Sequence, residues 1–312
     1  MSSKEILVSI IIPCHNVSDY IEECINSAYE QTYKNIEVVA IDNNSSDKTY
    51  IKLEQLKQSK YPNLIVLQEL KKGACAARNK GLSVVQGEWI QFLDADDLLQ
   101  SEKIKHQVNL IENCKSDNVA FVSGAYFSQN SEGTIYKTTT IGTNHPVVNV
   151  FVRESGNTCS NLFSIIWLQK VNGWDLALTS SQETDLMLRL VLKGGQVIID
   201  NTPLTIIRER DSGQISQSNP TKRWFNIVQH RLKYLNDIEA TFSKDIDYSK
   251  SDVISFIVSA IIILGKFDKK QAVNFAQELK KYKKTLIPKY GLTTKTIFLI
   301  KIIGLQTFLK IR

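Results

Sequence analysis

Apolar and polar residues fall in blocks along the first hundred positions. Residues 6–12 form a continuous β-branched run, the pattern of a strand buried on both faces of a parallel sheet. Behind it, Ile21, Cys24, Ile25 and Ala28 recur at helical spacing, and Ser18 or Asp19 can cap free amides at the helix start. Residues 36–41 are a second buried strand running into the polar turn Asp42-Asn43-Asn44-Ser45-Ser46-Asp47, where Ser46 or Asp47 can cap the next helix. The alternation repeats with a short strand at 64–67, a small-residue helix at 73–85 and a strand at 89–93 that stops abruptly at Asp94-Ala95-Asp96-Asp97. Repeated strand–helix–strand units predict an α/β, doubly wound sheet with ligands at the carboxyl ends of its strands.

Beyond residue 101 the alternation loosens. Residues 119–123 read as a strand, 125–140 as a hairpin around Asn130-Ser131-Glu132-Gly133, and 182–192 as a helix ending at Gly194-Gly195. Further strands are expected at 197–199 and 204–207, then a polar, mobile loop over 208–219. From Pro220 onward the pattern is helical, so a domain over 1–220 and a helical extension over 221–312 are expected.

Charge sharpens that division. Residues 1–220 hold 20 basic against 25 acidic side chains, a net −5, whereas 221–312 hold 18 against 7, a net +11. The basic excess belongs to the extension and suits an anionic partner, a membrane surface or nucleic acid; a solvated helical surface is the plain alternative. With 43% hydrophobic and 22% charged residues among 312, wholesale disorder and low-complexity classes are excluded. Five cysteines without a CxxC pair argue against a disulfide framework, so a reducing cytoplasm is expected. The opening MSSKEILVSIIIP lacks the features of an export signal, and the longest apolar candidate, 253–265, is too short to span a bilayer.

The polar clusters at 42–47 and 94–97 end strands that neighbour one another in such a sheet, which puts both on one rim. Asp94-Ala95-Asp96 sets two carboxylates at i and i+2 of a turn, able to face one divalent ion; alone, such a turn is as readily a cap for the helix at 102. The order of segments is more specific: VSIIIPCHN, IEVVAIDNNSSD, GACAARNKG and GEWIQFLDADD, then Val171-Asn172-Gly173-Trp174-Asp175 and Gln182-Glu183-Thr184-Asp185-Leu186 with Arg189. In these segments, over roughly residues 6–210, the chain resembles the family 2 nucleotide-sugar glycosyltransferases of the GT-A fold.

The resemblance implies a Rossmann-like mixed sheet with a helical C-terminal extension, residues 1–100 forming the nucleotide-sugar-binding half and 101–220 the acceptor side. It implies that Pro13, His15, Asn16, Asp42, Asn43, Asn44 and Ser45 hold the nucleoside, the His15 ring being able to stack on the base. Arg78 would lie near the donor, and Asp94, Ala95 and Asp96 would serve ribose and metal, with Asp96 as principal ligand of Mg²⁺ or Mn²⁺ and Asp94 beside it. Glu183 would be the general base of an inverting displacement; Arg208 and Arg210 could add charge when the following loop closes, two surface arginines being the commoner explanation. The implied donor is a nucleotide diphosphate sugar, a UDP-sugar first, and the implied acceptor a glycan or lipid-linked sugar in cell-surface polysaccharide synthesis. A non-catalytic nucleotide-sugar-binding protein is the rival, against which Asp96 and Glu183 both argue. A nucleic-acid partner lacks any recognisable reading motif.

Three departures from the family pattern stand out. Asn43 replaces an acid that often accepts the pyrimidine N–H, which weakens an inference of uracil, although an amide oxygen can still accept. Glu183 stands where Asp is frequent, and Pro220 stands where the processive pattern ahead of Arg223-Trp224 requires Gln, so single-sugar transfer is expected. His106, His145 and His230 show no ligand spacing, and Cys14 reads as a buried small residue. Finally, 294–312 carries Ile297, Phe298, Ile300, Ile302, Leu305, Phe308 and Leu309 mostly on one face, with Lys295, Gln306 and Lys310 opposite. One amphipathic helix is expected there, either packed on the body or lying in anionic headgroups at the inner face of the cell membrane.

Overall fold

The apolar run at the N-terminus becomes the middle of a sheet. A computed structural model describes residues 5–209, 219–241, 250–282 and 284–311. Its first half runs β1 (Val8–Cys14), α1 (Ile21–Tyr29), β2 (Ile36–Asp42), α2 (Thr49–Ser59), β3 (Ile65–Gln68), α3 (Ala74–Leu82) and β4 (Trp89–Phe92). There follow β5 (Leu98–Leu99), α4 (Lys103–Glu112), β6 (Val119–Gly124), β7 (Tyr126–Gln129), β8 (Ile135–Thr139) and α5 (Pro146–Phe151). Then come β9 (Leu162–Ser164), α6 (Ile165–Lys170), α7 (Gln182–Leu192), β10 (Gln196–Asp200) and β11 (Thr205–Arg208). The C-terminal helices are α8 (Pro220–Thr241), α9 (Lys250–Leu264), α10 (Lys269–Glu278), α11 (Thr294–Ile303) and α12 (Leu305–Ile311).

Seven strands pair in the order β10-β6-β9-β4-β1-β2-β3, and four more in the order β5-β11-β7-β8. β1 is parallel to both β2 and β4 and lies between them, so the two clusters end strands that flank β1 on one rim rather than neighbouring each other as expected. The sheet is mixed because β9 runs antiparallel to β4 and β6. Ile10, Ile11 and Ile12 are wholly buried, which accounts for their unbroken apolar run. α3 lies so close on this sheet that a Cβ at Gly81 would stand 2.5 Å from the Ile11 Cγ2. Glycine is needed there, and the close seating carries Arg78, one turn earlier, toward the rim.

Three capping expectations change. α1 begins at Ile21 with no side-chain cap, Ser18 and Asp19 lying in the preceding turn. α4 begins at Lys103, also without a side-chain cap, so Asp96 and Asp97 are released from the capping role. α2 has no side-chain cap either: its N-cap is Lys48, and Asp47 ahead of it accepts the Thr49 N–H in a local turn (2.9 Å) and ties back the Ser18 N–H (3.0 Å).

The chain forms two compact units, Met1–Gly142 with Glu154–Asp211, and Thr143–Arg153 with Ser212–Arg312. This division differs from a single cut at 220, because α5 belongs to the helical unit. There the buried Arg231 guanidinium lies 5.0 Å from the Phe151 ring on α5 and 5.3 Å from the Phe256 ring on α9, two rings that meet edge to face at 6.2 Å. α9 is the long apolar stretch, with Val253, Ile254, Ile257, Val258 and Ile261 buried in that unit. Among the described residues no helix is long and apolar enough to cross a membrane.

The single helix expected over 294–312 is instead two. The chain breaks at Gly304, whose φ of +79° ends α11 before α12 starts. Ile297, Ile300, Leu305, Phe308 and Leu309 are buried, whereas Phe298 (62%) and Ile302 (61%) are exposed on α11 beside Lys295 and Lys301. The apolar face is therefore split between core and solvent; Arg312 lies outside the described residues.

Candidate active site

The loop after β1 and the turn after β2 are stapled together. Asn16, at φ +51°, accepts the Ser46 N–H on its Oδ1 (2.8 Å), and its own N–H reaches the Ser45 Oγ (3.1 Å). His15 Nδ1 lies 2.9 Å from the Asn43 carbonyl, and Asn44 takes the left-handed region at φ +60°. Pro13 is half-buried and His15 and Asn16 are exposed, so this stapled pair of loops is open to a ligand.

The Asn43 side chain is engaged within the protein. Its Nδ2 donates to the carbonyls of Glu69 (2.9 Å) and Lys71 (2.8 Å), and its Oδ1 accepts the Gly73 N–H (2.8 Å). The amide thus holds the loop between β3 and α3, leaving one lone pair of Oδ1 for anything else. Beside it, Asp42 is buried with an Oδ1 that has no hydrogen-bond partner among the described residues. A buried carboxylate oxygen left this way is costly unless a ligand donor meets it.

Arg78 joins the other polar cluster. Its guanidinium pairs with Asp94 Oδ1 at 2.6 Å and lies 4.5 Å over the Trp174 ring. Burial works against the Arg78 charge, and the adjacent Asp94 carboxylate more than offsets it, so the pKa stands above its ordinary value. Asn79 grips the backbone of Trp174 at both ends, through Nδ2 to the carbonyl (2.8 Å) and Oδ1 from the N–H (2.9 Å). From α7, Arg189 donates to the carbonyls of Val171 (2.6 Å) and Gly173 (2.9 Å) and makes two bonds to Asp185 (2.6 and 2.8 Å). The ARN, NGWD and ETDxxxR segments therefore clasp one another, and Asp185 is the orienting partner of Arg189.

At the turn after β4 the three carboxylates diverge. Asp97 points inward, accepting from the Arg208 N–H (2.9 Å) and the Cys159 thiol (3.3 Å). Burial, then the charges of Asp96 and Asp94, push its pKa well above the usual carboxylate range. Ligand atoms of Asp94, Asp97 and Cys159 lie within 4.8 Å of one another. A thiol suits a hard, oxygen-seeking cation poorly, whereas the 37%-exposed Asp94 and half-buried Asp96 offer carboxylate oxygens. Ala95 between them is buried. Arg208 donates through Nε to the Asp96 carbonyl and pairs with Glu23, so it braces this turn; Arg210 lies outside the described residues.

Glu183 sits in the first turn of α7, half-buried, and accepts from the Thr158 hydroxyl at 3.3 Å. Thr158 and Cys159 carried no signal in the sequence, since they lie in an irregular stretch before β9. With this geometry in view, residues 9–161 match the family described as "Glycosyl transferase family 2".

The matched segment is a family 2 glycosyltransferase domain.

Among its relatives, glycosyltransferase GlyG of Streptococcus pneumoniae is 25% identical over 296 residues, 90% of this chain and 89% of GlyG. The UDP-Glc:alpha-D-GlcNAc-diphosphoundecaprenol beta-1,3-glucosyltransferase WfaP of Escherichia coli is 37% identical over 121 residues, 39% of this chain and 46% of WfaP. The crystal structure of S. aureus TarS residues 1–349 in complex with UDP-GlcNAc superimposes with a TM-score of 0.65 at 16% identity, over 97% of this chain and 90% of that one. At that identity the TarS likeness establishes the GT-A-like mixed α/β fold.

Proposed function

We propose that this protein transfers one sugar from a UDP-sugar to a hydroxyl of a glycan or lipid-linked acceptor, with inversion, in cell-surface glycan synthesis. The observation that carries the donor half is the buried Asp42 Oδ1, without a hydrogen-bond partner among the described residues, at the rim shared with the Asp94–Asp96 turn. Asp42 and the His15 ring would read the base while Asn43 holds the neighbouring loop. Asp96 and Asp94 would hold Mg²⁺ or Mn²⁺, which when bound supplies counter-charge to the departing diphosphate. Arg78 fixes the Asp94 carboxylate, and Glu183 accepts the acceptor proton as the new C1–O bond forms and the bond to phosphate breaks. A single displacement of this kind inverts the anomeric centre. The UDP-Glc and diphosphoundecaprenol in the WfaP name, and the UDP-GlcNAc bound to TarS, support a uridine donor and a lipid-linked acceptor.

A panel of UDP-, GDP- and dTDP-sugars, assayed by nucleotide release with Mn²⁺ and with chelator, tests this reading. Slow release from a UDP-sugar that stops in chelator is expected, because transferases leak sugar to water. Binding without release from any donor would favour the non-catalytic rival.

The basic helical unit supports a second part of the reading, peripheral attachment to the anionic inner face of the cell membrane. Phe298 and Ile302 are one turn apart and exposed, with Lys295 and Lys301 able to meet lipid phosphates. Removing the tail would also strip Ile297, Ile300 and Leu305 from the core, so point changes are the cleaner probe. Wild type should float with phosphatidylglycerol vesicles and not with phosphatidylcholine, and the Phe298→Asp, Ile302→Asp double variant should stay at the bottom. Equal flotation of both proteins would remove this face from the reading.

A further inference from the structure

The short segment before β9 is fixed from every side. Asn157 Oδ1 accepts the N–H groups of Cys159 (3.0 Å) and Ser160 (2.8 Å), and the Ser160 hydroxyl accepts the Asn157 N–H (2.9 Å). The Cys159 carbonyl takes Gln91 Nε2 from β4 (2.7 Å), the Ser160 carbonyl takes Gln107 Nε2 from α4 (3.1 Å), and Asn161 Oδ1 takes the Gly124 N–H at the end of β6 (2.9 Å). A Cβ at Gly124 would lie 2.1 Å from the Ser160 carbonyl, so the strand abuts this turn directly. Three long-range elements, β4, α4 and β6, thus hold its backbone, and the turn has little freedom to relax.

Its two central side chains go to two different parts of the site. The Cys159 sulfur accepts the Asp94 N–H at 3.2 Å and donates its proton to Asp97 Oδ2 at 3.3 Å, so one thiol spans the first and last residues of the Asp94-Ala95-Asp96-Asp97 turn. The Asp97 N–H to Asp94 carbonyl bond (2.9 Å) closes the same turn from inside. Cys159 is 1% exposed, so both of its contacts are made inside the fold. The preceding residue, Thr158, gives its hydroxyl proton to Glu183 Oε2. One peptide unit therefore touches both the carboxylate turn and the carboxylate on α7.

We propose that Thr158 and Cys159 form a strut of positioning residues: Cys159 sets the turn that presents Asp94 and Asp96 to the donor diphosphate, and Thr158 sets Glu183 against the acceptor. The inference rests on the reading of Asp96 and Glu183 given above. It assigns the two residues separable effects. Cys159→Val, similar in volume and without either hydrogen bond, weakens donor and Mn²⁺ affinity about tenfold or more. Thr158→Val leaves donor affinity alone and lowers kcat by about tenfold, because the carboxylate loses its aim. Cys159→Ser and Thr158→Ser keep the donors and restore most of each loss, which a purely packing role would not produce.

The test is calorimetric donor affinity in Mn²⁺ alongside kcat for these four variants, each measured on protein whose thermal melt shows it folded, with Cys159→Ala replacing Cys159→Val if the latter fails to fold. A donor-affinity loss confined to Cys159 variants and a kcat loss confined to Thr158 variants, each rescued by serine, is the expected result. Wild-type values for both valine variants, or serine variants as impaired as valine, overturn the strut. Asp96→Ala and Glu183→Gln serve as controls: if they too are silent, the site reading itself fails, and if they are crippled while the valine variants are normal, only the strut is lost.

Discussion

Glu183→Gln lowers the chemical rate by about two to four orders of magnitude while donor affinity is kept, the usual size of a general-base contribution. A sugar hydroxyl is a weak nucleophile, and its proton must leave as the C1–O bond forms. Glutamine keeps the shape of Glu183 and an oxygen to accept the Thr158 hydroxyl, so the first turn of α7 is undisturbed. What it loses is the capacity to take a proton. Asp185, two residues on, is held by two bonds from Arg189 and cannot be redirected without freeing the Val171–Gly173 backbone that Arg189 also binds. Isothermal titration with the nucleotide sugar, paired with single-turnover quench, separates binding from chemistry. An unchanged single-turnover rate would move the base role to another carboxylate.

Asp96→Ala abolishes detectable transfer, a loss of roughly a hundredfold or more. The diphosphate leaves with concentrated negative charge, and Asp96 is the carboxylate proposed to hold the cation that meets it. Alanine retains the carbonyl to which Arg208 donates, so the turn keeps its brace. Asp94→Ala is a blunter probe, since it also strands the buried Arg78 guanidinium beside Trp174, and lost stability would accompany lost donor binding. Initial rates across a Mn²⁺ titration decide the matter; near-normal turnover of Asp96→Ala in chelator would falsify the metal role.

Much of the sheet was legible because its signal is local. β1 and β2 are β-branched runs closed by polar residues, and the hairpin of β7 and β8 turns where Asn130–Gly133 foretold. β5, β9, α5 and α6, none longer than six residues, escaped, whereas β4 and β7, as short, stood out because the polar runs Asp94–Asp97 and Asn130–Gly133 close them. The tail shows a related limit. Apolar spacing over 294–312 fits one helix, yet Gly304 adopts a positive φ that spacing does not register, and only half of the face finds a core.

The site divides in the same way. The order of the motifs, the carboxylates at 94 and 96, the glutamate opening α7 and the basic tail are all written in the chain, because residue type and interval suffice to specify them. Which polar group meets which was decided by the tertiary structure. Cys159 closes the turn of Asp94 from 65 residues away, Asn43 spends its amide on the loop at 69–73, and Arg208 braces Asp96 from the far end of the domain. The reason is physical: a buried polar atom must find a partner, and any donor or acceptor that the packed strands deliver within about 3 Å will serve, whatever its distance along the chain. Hydrophobic periodicity reports what a residue's neighbours in sequence do together, and it is silent about partners that only the closed sheet brings within reach.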